Sequence, residues 1–140
     1  MNKVNKIKKI WPEGIKRTKQ RESVLSILES ALEPLSAAEI SSKMEEEGEK
    51  VWMSTVYRAL EVFVKNDLVI KTNVLNSEMA VYELNRFEHK HYAVCISCHK
   101  LISMDNCPMD KFIPELQDED FKVLGHNLEI FGYCKDCMTP

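Results

Sequence analysis

Apolar residues recur at three- and four-residue intervals in successive segments of the first half of the chain, which is the period of an amphipathic helix. The first segment, residues 19–32, is followed by Pro34, and the second begins with a capping-box sequence at residues 36–39 and reaches Gly48. Ser54 is the expected N-cap of a third segment. The apolar face of that segment consists of Val56, Tyr57, Leu60, Phe63 and Val64. The pattern predicts three short helices in succession, a helix-turn-helix arrangement.

Strand-like segments follow the third helix. The predicted strands are residues 68–74, 79–84, 92–94 and 129–133. Asn76 and Ser77 predict a turn that joins the first two into a hairpin, and residues 109–116 predict a short helix. A hairpin after three helices is the wing of a winged helix, whose third helix enters the major groove of DNA. The predicted fold class is therefore α+β, with a winged helix in the N-terminal half.

The length of 140 residues allows one ordinary domain or two small ones. With 44% apolar and 29% charged residues, the composition is that of a soluble globular protein, and no apolar run is long enough to span a bilayer. The first fifteen residues contain lysines but no apolar core of signal-peptide length. We therefore expect a cytoplasmic protein without a membrane partner.

Charge is distributed unevenly along the chain. Residues 1–21 carry eight Lys or Arg and one acid, whereas the remaining residues have a net charge of -10. A basic segment before a helix-turn-helix suggests contact with a polyanion. The candidate DNA contacts are Arg21, Ser54, Thr55, Tyr57 and Arg58. For Tyr57 a half-buried place in the core is an open alternative.

Two Cys-x-x-Cys pairs lie in the second half of the chain, 35 residues apart. The pairs are Cys95 with Cys98 and Cys134 with Cys137. Two such pairs supply the four thiolates of a structural zinc site, and the alternative is free thiols or a redox dithiol. The string Cys95 to His99 also matches the c-type haem attachment pattern, which requires export, and no export signal is seen. The pairs therefore predict structural zinc.

Several short motifs occur in a fixed order between Gly14 and Cys137. They are residues 14–18 with Gln20 and Arg21, residues 54–60, His89 and His91 before the first cysteine pair, and His126 before residues 132–137. In this order they resemble the ferric uptake regulator superfamily of bacterial metal-responsive repressors. The stretch from Cys107 to Ile130 is similar to the zinc uptake regulators of Gram-positive bacteria.

This resemblance implies a winged-helix DNA-binding domain at residues 1–84, a hinge at residues 85–87 and an α/β dimerisation and metal-binding domain at residues 88–140. It further implies a homodimer that binds a palindromic operator when a regulatory metal is loaded, and no enzymatic activity.

The resemblance implies two possible regulatory metal sites. One would use His89, His91, Asp110 and His126. The other would bridge the two domains and use the same His89 and His91 with Glu83 and possibly Glu33. Cys107, the cysteine that the structural zinc does not need, is either a further ligand or a buried small residue.

Histidines with one carboxylate suit zinc, iron(II) or manganese(II), and a nearby thiolate favours zinc. The resemblance to zinc uptake regulators makes zinc the first expectation, and it implies a zinc-sensing repressor of metal uptake genes. The alternatives are an iron- or peroxide-responsive repressor of the same family, a redox switch in which Cys107 reacts, and a zinc-stapled DNA-binding protein that senses nothing. Peroxide sensing is disfavoured because its pattern requires an acid where this chain has Ser103.

Overall fold

The computed structural model describes residues 11–86, 90–110 and 115–138, except the side chains of Asn76 and Asp110. The chain divides into two compact units, Met1–Arg86 and Phe87–Pro140.

The first unit contains the helices α1 (Lys19–Ser30), α2 (Ala37–Glu46) and α3 (Met53–Lys65). The Thr18 side chain accepts a hydrogen bond from the Arg21 backbone N–H at 3.2 Å and so caps α1. At α2 the predicted capping box is present, because Ser36 and Glu39 each bond the other's backbone N–H at 3.1 Å. Both starts agree with the sequence.

The predicted start of α3 is wrong. The N-cap is Trp52, whose side chain makes no capping hydrogen bond, and Ser54 lies inside the first turn. The Trp52 carbonyl accepts hydrogen bonds from the backbone N–H groups of Thr55 at 2.9 Å and Val56 at 3.3 Å. The helix therefore starts two residues earlier than a capping preference alone indicates.

An antiparallel hairpin follows α3. Strand β1 (Val69–Asn73) pairs with β2 (Ala80–Leu84), in the register Val69 to Leu84 and Asn73 to Ala80. A short 3₁₀ turn, Val74–Asn76, connects them, with Leu75 at φ 54°. Leu35 also bridges Tyr82, through backbone hydrogen bonds of 2.8 and 2.7 Å. This bridge ties the segment before α2 to the hairpin.

The helices and the hairpin enclose one apolar core. Its largest fully buried side chains are Phe63, Leu25, Leu28, Ile40, Met44 and Leu60. Each such side chain contributes about 1.5–3 kcal/mol through burial. Trp11 adds an edge-to-face contact with Phe63 at a centroid distance of 5.7 Å. The buried side of α3 is thereby fixed, and so is the side that it presents to solvent.

The second unit is built on a three-stranded sheet of order β4-β3-β5. Strand β3 (Tyr92–Cys95) is central; β4 (Leu101–Ser103) pairs with it antiparallel and β5 (Ile130–Gly132) parallel. The sequence predicted β3 and β5 but not β4. A 3₁₀ turn, Pro108–Asp110, lies where a helix was expected, and the prediction for residues 111–114 lies outside the described residues.

Within the described residues, no helix combines the length and the apolar character needed to span a membrane.

Candidate metal centres

The four cysteines of the two pairs come together at one end of the sheet. Cys95 ends β3, and because β5 runs parallel to it, with Cys95 opposite Gly132, both cysteine turns emerge at the same end. The four Sγ atoms lie within 4.8 Å of one another, and the Sγ atoms of Cys98 and Cys134 are 3.7 Å apart. This is the donor set of a closed tetrahedral zinc site.

Backbone groups hold the first of these turns in place. The Ile96 N–H donates to the Gly132 carbonyl at 2.8 Å, and the His99 N–H donates to the Cys95 carbonyl at 2.8 Å. His99 has a φ of 66°, the left-handed conformation that glycine adopts at lowest cost. Backbone hydrogen bonds and the left-handed His99 therefore shape this turn, and a metal ion can bind to it without a change in the backbone.

Hydrogen bonds around the sulfur atoms make the thiols unequal. The backbone N–H groups of Cys98 and Cys134 stabilise the Cys95 thiolate and lower its pKa to about 6. The Cys137 thiol hydrogen-bonds to the sulfur of Cys134, and this raises the pKa of Cys137 to about 12. Cys95 therefore loses its proton more readily than Cys137, and zinc binding displaces the protons that the cluster still holds.

A second group of ligand atoms lies near the other end of β3. His91 immediately precedes that strand, Cys107 immediately precedes the 3₁₀ turn, and His126 lies in the segment before β5. The Nε2 of His91 is 3.2 Å from the Cys107 Sγ and 3.1 Å from the His126 Nε2, and the Cys107 Sγ is 3.3 Å from the His126 Nε2. Donors on one tetrahedral zinc ion would be about 3.3–3.6 Å apart, given Zn–N and Zn–S bond lengths of about 2.0 and 2.3 Å. The observed distances of 3.1–3.3 Å lie at or slightly below this range, so the three donors need to separate only slightly to share one ion.

This trio is well shielded. His91 and Cys107 are each only 7% exposed, and His126 is half-buried. The two imidazole rings stack at a centroid distance of 5.0 Å. The Met104 N–H donates to the His91 carbonyl at 3.0 Å, which fixes the backbone that carries this histidine. Two imidazoles and a thiol that converge in such a pocket can hold a borderline-soft metal ion.

The structure brings together some of the residues that were predicted for the regulatory metal site, but not all of them. The structure brings His91 and His126 together and adds Cys107, whose role the sequence left open. His89 and the side chain of Asp110 lie outside the described part of the chain. Glu33 and Glu83 belong to the first unit and to neither of the two ligand groups formed by the described residues.

The candidate DNA contacts lie mainly on one side of α3. Ser54, Tyr57 and Arg58 are exposed and Thr55 is half-buried. Tyr57 is 47% exposed, which is more than a core aromatic would be. Arg21, at the start of α1, donates from a guanidinium nitrogen to the Lys16 carbonyl at 2.8 Å.

Trp52, the N-cap residue directly before α3, is exposed and was not among the predicted DNA contacts. Its side chain is 83% exposed at the N-cap. Large aromatic side chains are rarely so accessible. The sequence could have suggested a role for Trp52 only through its position just before the candidate DNA contacts.

The sequence model of the Ferric uptake regulator family matches residues 12–131, most of the chain. The protein belongs to the ferric uptake regulator family. Members of this family are metal-responsive transcription regulators that bind DNA as dimers, and they combine a structural zinc with a regulatory zinc, iron or manganese ion.

The names of similar proteins within the family refer to the uptake of different metals. A Ferric uptake regulation protein of Neisseria meningitidis serogroup A is 29% identical over 141 residues, which cover 99% of this chain and 97% of the relative. A Zinc uptake regulation protein of Mycobacterium tuberculosis is 30% identical over 127 residues, covering 90% and 97%. The solved Helicobacter pylori ferric uptake regulator, described as having three functional metal binding sites, superposes with a TM-score of 0.75 at 27% identity, covering 98% of this chain and 89% of that one.

Proposed function

We propose that this ferric uptake regulator family member is a zinc-sensing repressor of metal uptake genes, acting in the cytoplasm on chromosomal DNA. The convergence of His91, Cys107 and His126 carries the proposal. Zinc is borderline-soft and accepts nitrogen and thiolate sulfur together, whereas manganese and iron(II) more often take oxygen-rich sites. A buried thiol in the regulatory site therefore favours zinc.

In this proposal the two metal groups have separate tasks. The group formed by Cys95, Cys98, Cys134 and Cys137 holds a structural zinc that ties β3 to β5. Four thiolates complete a tetrahedral shell, and such closed sites hold their metal tightly. Among the described residues the second group supplies three ligands, one fewer than the structural site, and in this proposal it holds its ion less tightly.

The fourth ligand of the regulatory ion is proposed to be His89 or Asp110. Both belong to the ligand set that the family resemblance implies for His91 and His126. The bridging alternative uses His89 and His91 with Glu83 and Glu33 from the first unit. The support for the former set is that His91 and His126 approach within 3.1 Å without any residue of the first unit.

DNA binding is assigned to a winged-helix domain, residues 1–84, followed by a hinge at residues 85–87 and a dimerisation domain at residues 88–140. Helix α3 would enter the major groove, with Arg58 reading a base and Ser54, Thr55, Tyr57 and Arg21 positioning the helix. Support comes from the exposure of Arg58 and Tyr57 on α3 while Val56 and Leu60 are fully buried. Two such domains in a homodimer fit a palindromic operator.

Regulation follows from linkage. If zinc binds better to the conformation in which the dimer can contact both operator halves, zinc raises DNA affinity and DNA raises zinc affinity by the same factor. A hundredfold preference corresponds to about 2.7 kcal/mol. Transcription is then blocked by occupancy of the operator, with no covalent step.

An iron(II)-responsive repressor is the second candidate, because the chain is 29% identical to a Ferric uptake regulation protein over nearly its whole length. Iron(II) prefers harder ligands than a thiolate, so Cys107 is the observation against it. The two functions differ in which ion refills the regulatory site.

The test is metal stoichiometry by elemental mass spectrometry before and after mild chelation, combined with DNA binding at buffered concentrations of zinc, iron(II) and manganese(II). We expect one zinc per subunit to resist chelation, a second site to refill with zinc, and duplex binding to return with it. Refilling by iron(II) alone would support the second candidate. DNA binding that ignores every metal would overturn the sensing function.

A further inference from the structure

The two tryptophans of the chain have opposite environments. Trp11 is half-buried; its ring packs on Phe63, and its indole N–H donates to the Ile15 carbonyl at 3.0 Å. Trp52 is 83% exposed at the start of α3. The first tryptophan stabilises the fold, whereas the second gains almost no burial within its own chain.

The side chain of Trp52 does not stabilise the start of its helix. The N-cap residues of α1 and α2 are Thr18 and Ser36, and both accept capping hydrogen bonds from backbone N–H groups. Trp52 has no side-chain acceptor and makes no such bond. Neither helix capping nor core packing therefore accounts for a tryptophan at this site.

The neighbours of Trp52 indicate what could cover it. Met53 is 37% exposed, and Tyr57, one turn further on and on the same side of α3, is 47% exposed. Together with Trp52, which directly precedes Met53, these exposed residues at the start of the helix are here called the α3 patch. Arg58 is exposed beside it, and the first turn of α3 has no acidic residue, unlike those of α1 and α2. The nearest acid on α3, Glu61, lies one turn beyond Tyr57. An apolar surface next to an arginine, with no carboxylate in the first turn of the helix, suits a nucleic-acid edge better than an acidic protein surface.

We propose that Trp52 is a specificity-determining residue that reads thymine in the operator, through contact between its indole ring and the C5-methyl group. This inference rests on the proposed DNA-binding function. The thymine methyl is the apolar group that bases present in the major groove, and it distinguishes A·T pairs from the others. The N-terminal end of a recognition helix is the part that reaches base edges, so the α3 patch lies at the reading end.

The proposed contact can be tested by removing the single methyl group and measuring the change in DNA affinity. Replacing the contacted thymine with uracil removes that methyl and leaves the base-pair hydrogen bonds intact. Burial of one methyl corresponds to about a fourfold change in affinity. The zinc-loaded wild-type protein should therefore bind the uracil duplex about fourfold more weakly, and Trp52→Ala should bind both duplexes equally.

The experiment begins with selection of duplexes from a randomised DNA library by the zinc-loaded wild-type protein. Each thymine of the selected duplex is then replaced with uracil in turn, and dissociation constants are measured by fluorescence anisotropy. Leu32→Ala is the matched control, because Leu32 is 86% exposed in the same unit but lies outside α3. We expect Trp52→Ala to weaken binding to the selected duplex on the order of tenfold and Leu32→Ala to leave it unchanged.

Tryptophan emission gives an independent readout. In a Trp11→Phe variant the emission comes from Trp52 alone and should be quenched by the selected duplex. In Trp52→Ala it comes from Trp11 alone, should not respond to DNA, and reports that the first unit is folded.

The outcomes separate this inference from the function on which it rests. If no duplex is enriched with any metal, the proposed DNA-binding function fails. If duplexes are enriched but Trp52→Ala keeps wild-type affinity, thymine reading by Trp52 is overturned. The same holds if Trp52→Ala loses affinity but still binds the uracil duplex more weakly than the thymine duplex. A change in oligomeric state in Trp52→Ala would also overturn it, because Trp52 would then contact protein.

Discussion

Replacing Cys107 with serine should remove one donor of the regulatory metal and leave the structural zinc in place. Serine has nearly the same shape as cysteine but replaces a soft thiolate with a hydroxyl, which zinc binds poorly. The Cys107 Sγ is 3.2 and 3.3 Å from the two imidazole nitrogens, so the change falls within the proposed coordination shell.

The size of the effect can be bounded. Loss of a group that only orients a metal ligand typically costs about 10- to 100-fold in affinity. Loss of one of three direct donors should therefore cost at least about 100-fold, or about 2.7 kcal/mol. At a free zinc concentration of about 1,000 times the wild-type dissociation constant, the stabilisation by regulatory zinc should fall from about 4.1 to about 1.4 kcal/mol.

Two assays measure this loss. Competition against a chromophoric zinc chelator gives the affinity of the second site, and the midpoint of zinc-dependent DNA binding should shift about 100-fold to higher zinc. Asp105→Ala is the matched control, since Asp105 is exposed in the same loop two residues before Cys107. If Cys107→Ser takes up its second zinc with wild-type affinity, the three-residue site is wrong.

The remaining predictions concern other parts of the molecule. Arg58→Ala should weaken operator binding by at least about tenfold without releasing either metal, which elemental analysis of the purified variant checks. His91→Ala should abolish the zinc dependence of DNA binding while one zinc per subunit survives chelation; a wild-type response to metal would contradict the sensor assignment. Leu25→Ala should destabilise the first unit by about 2–5 kcal/mol in denaturant unfolding, since Leu25 is fully buried. Acidification from pH 7.5 toward pH 5 should release zinc from both sites, because protons compete for thiolates and imidazoles; a zinc-indicator dye follows the release.

The sequence predicted the elements whose signals are local. The capping box at Ser36 and the periodicity of α1 were sufficient for two helices, and two Cys-x-x-Cys pairs were sufficient for the zinc group. The N-cap of α3 was mispredicted because a capping preference is worth only about 1 kcal/mol and defines the first residue of a helix weakly.

Other features depended on distances across the fold. Strand β4 has three residues, too few for alternation to be recognised, and is defined by its pairing with β3. Cys107 lies 16 positions from His91 and 19 from His126, and no spacing rule predicts that loops of this length meet. The family resemblance pointed to Asp110, whose side chain lies outside the described residues, and it left the role of Cys107 open. The convergence of the trio depends on the tertiary path of these loops.

Strand β3 links the two metal groups, since His91 stands directly before its first residue and Cys95 is its last. An insertion or deletion between them would shift the pairing of β3 against both β4 and β5, and a shift of one residue turns side chains to the opposite face of the sheet. The interval from His91 to Cys95 is therefore the segment in which related chains should tolerate no change in length.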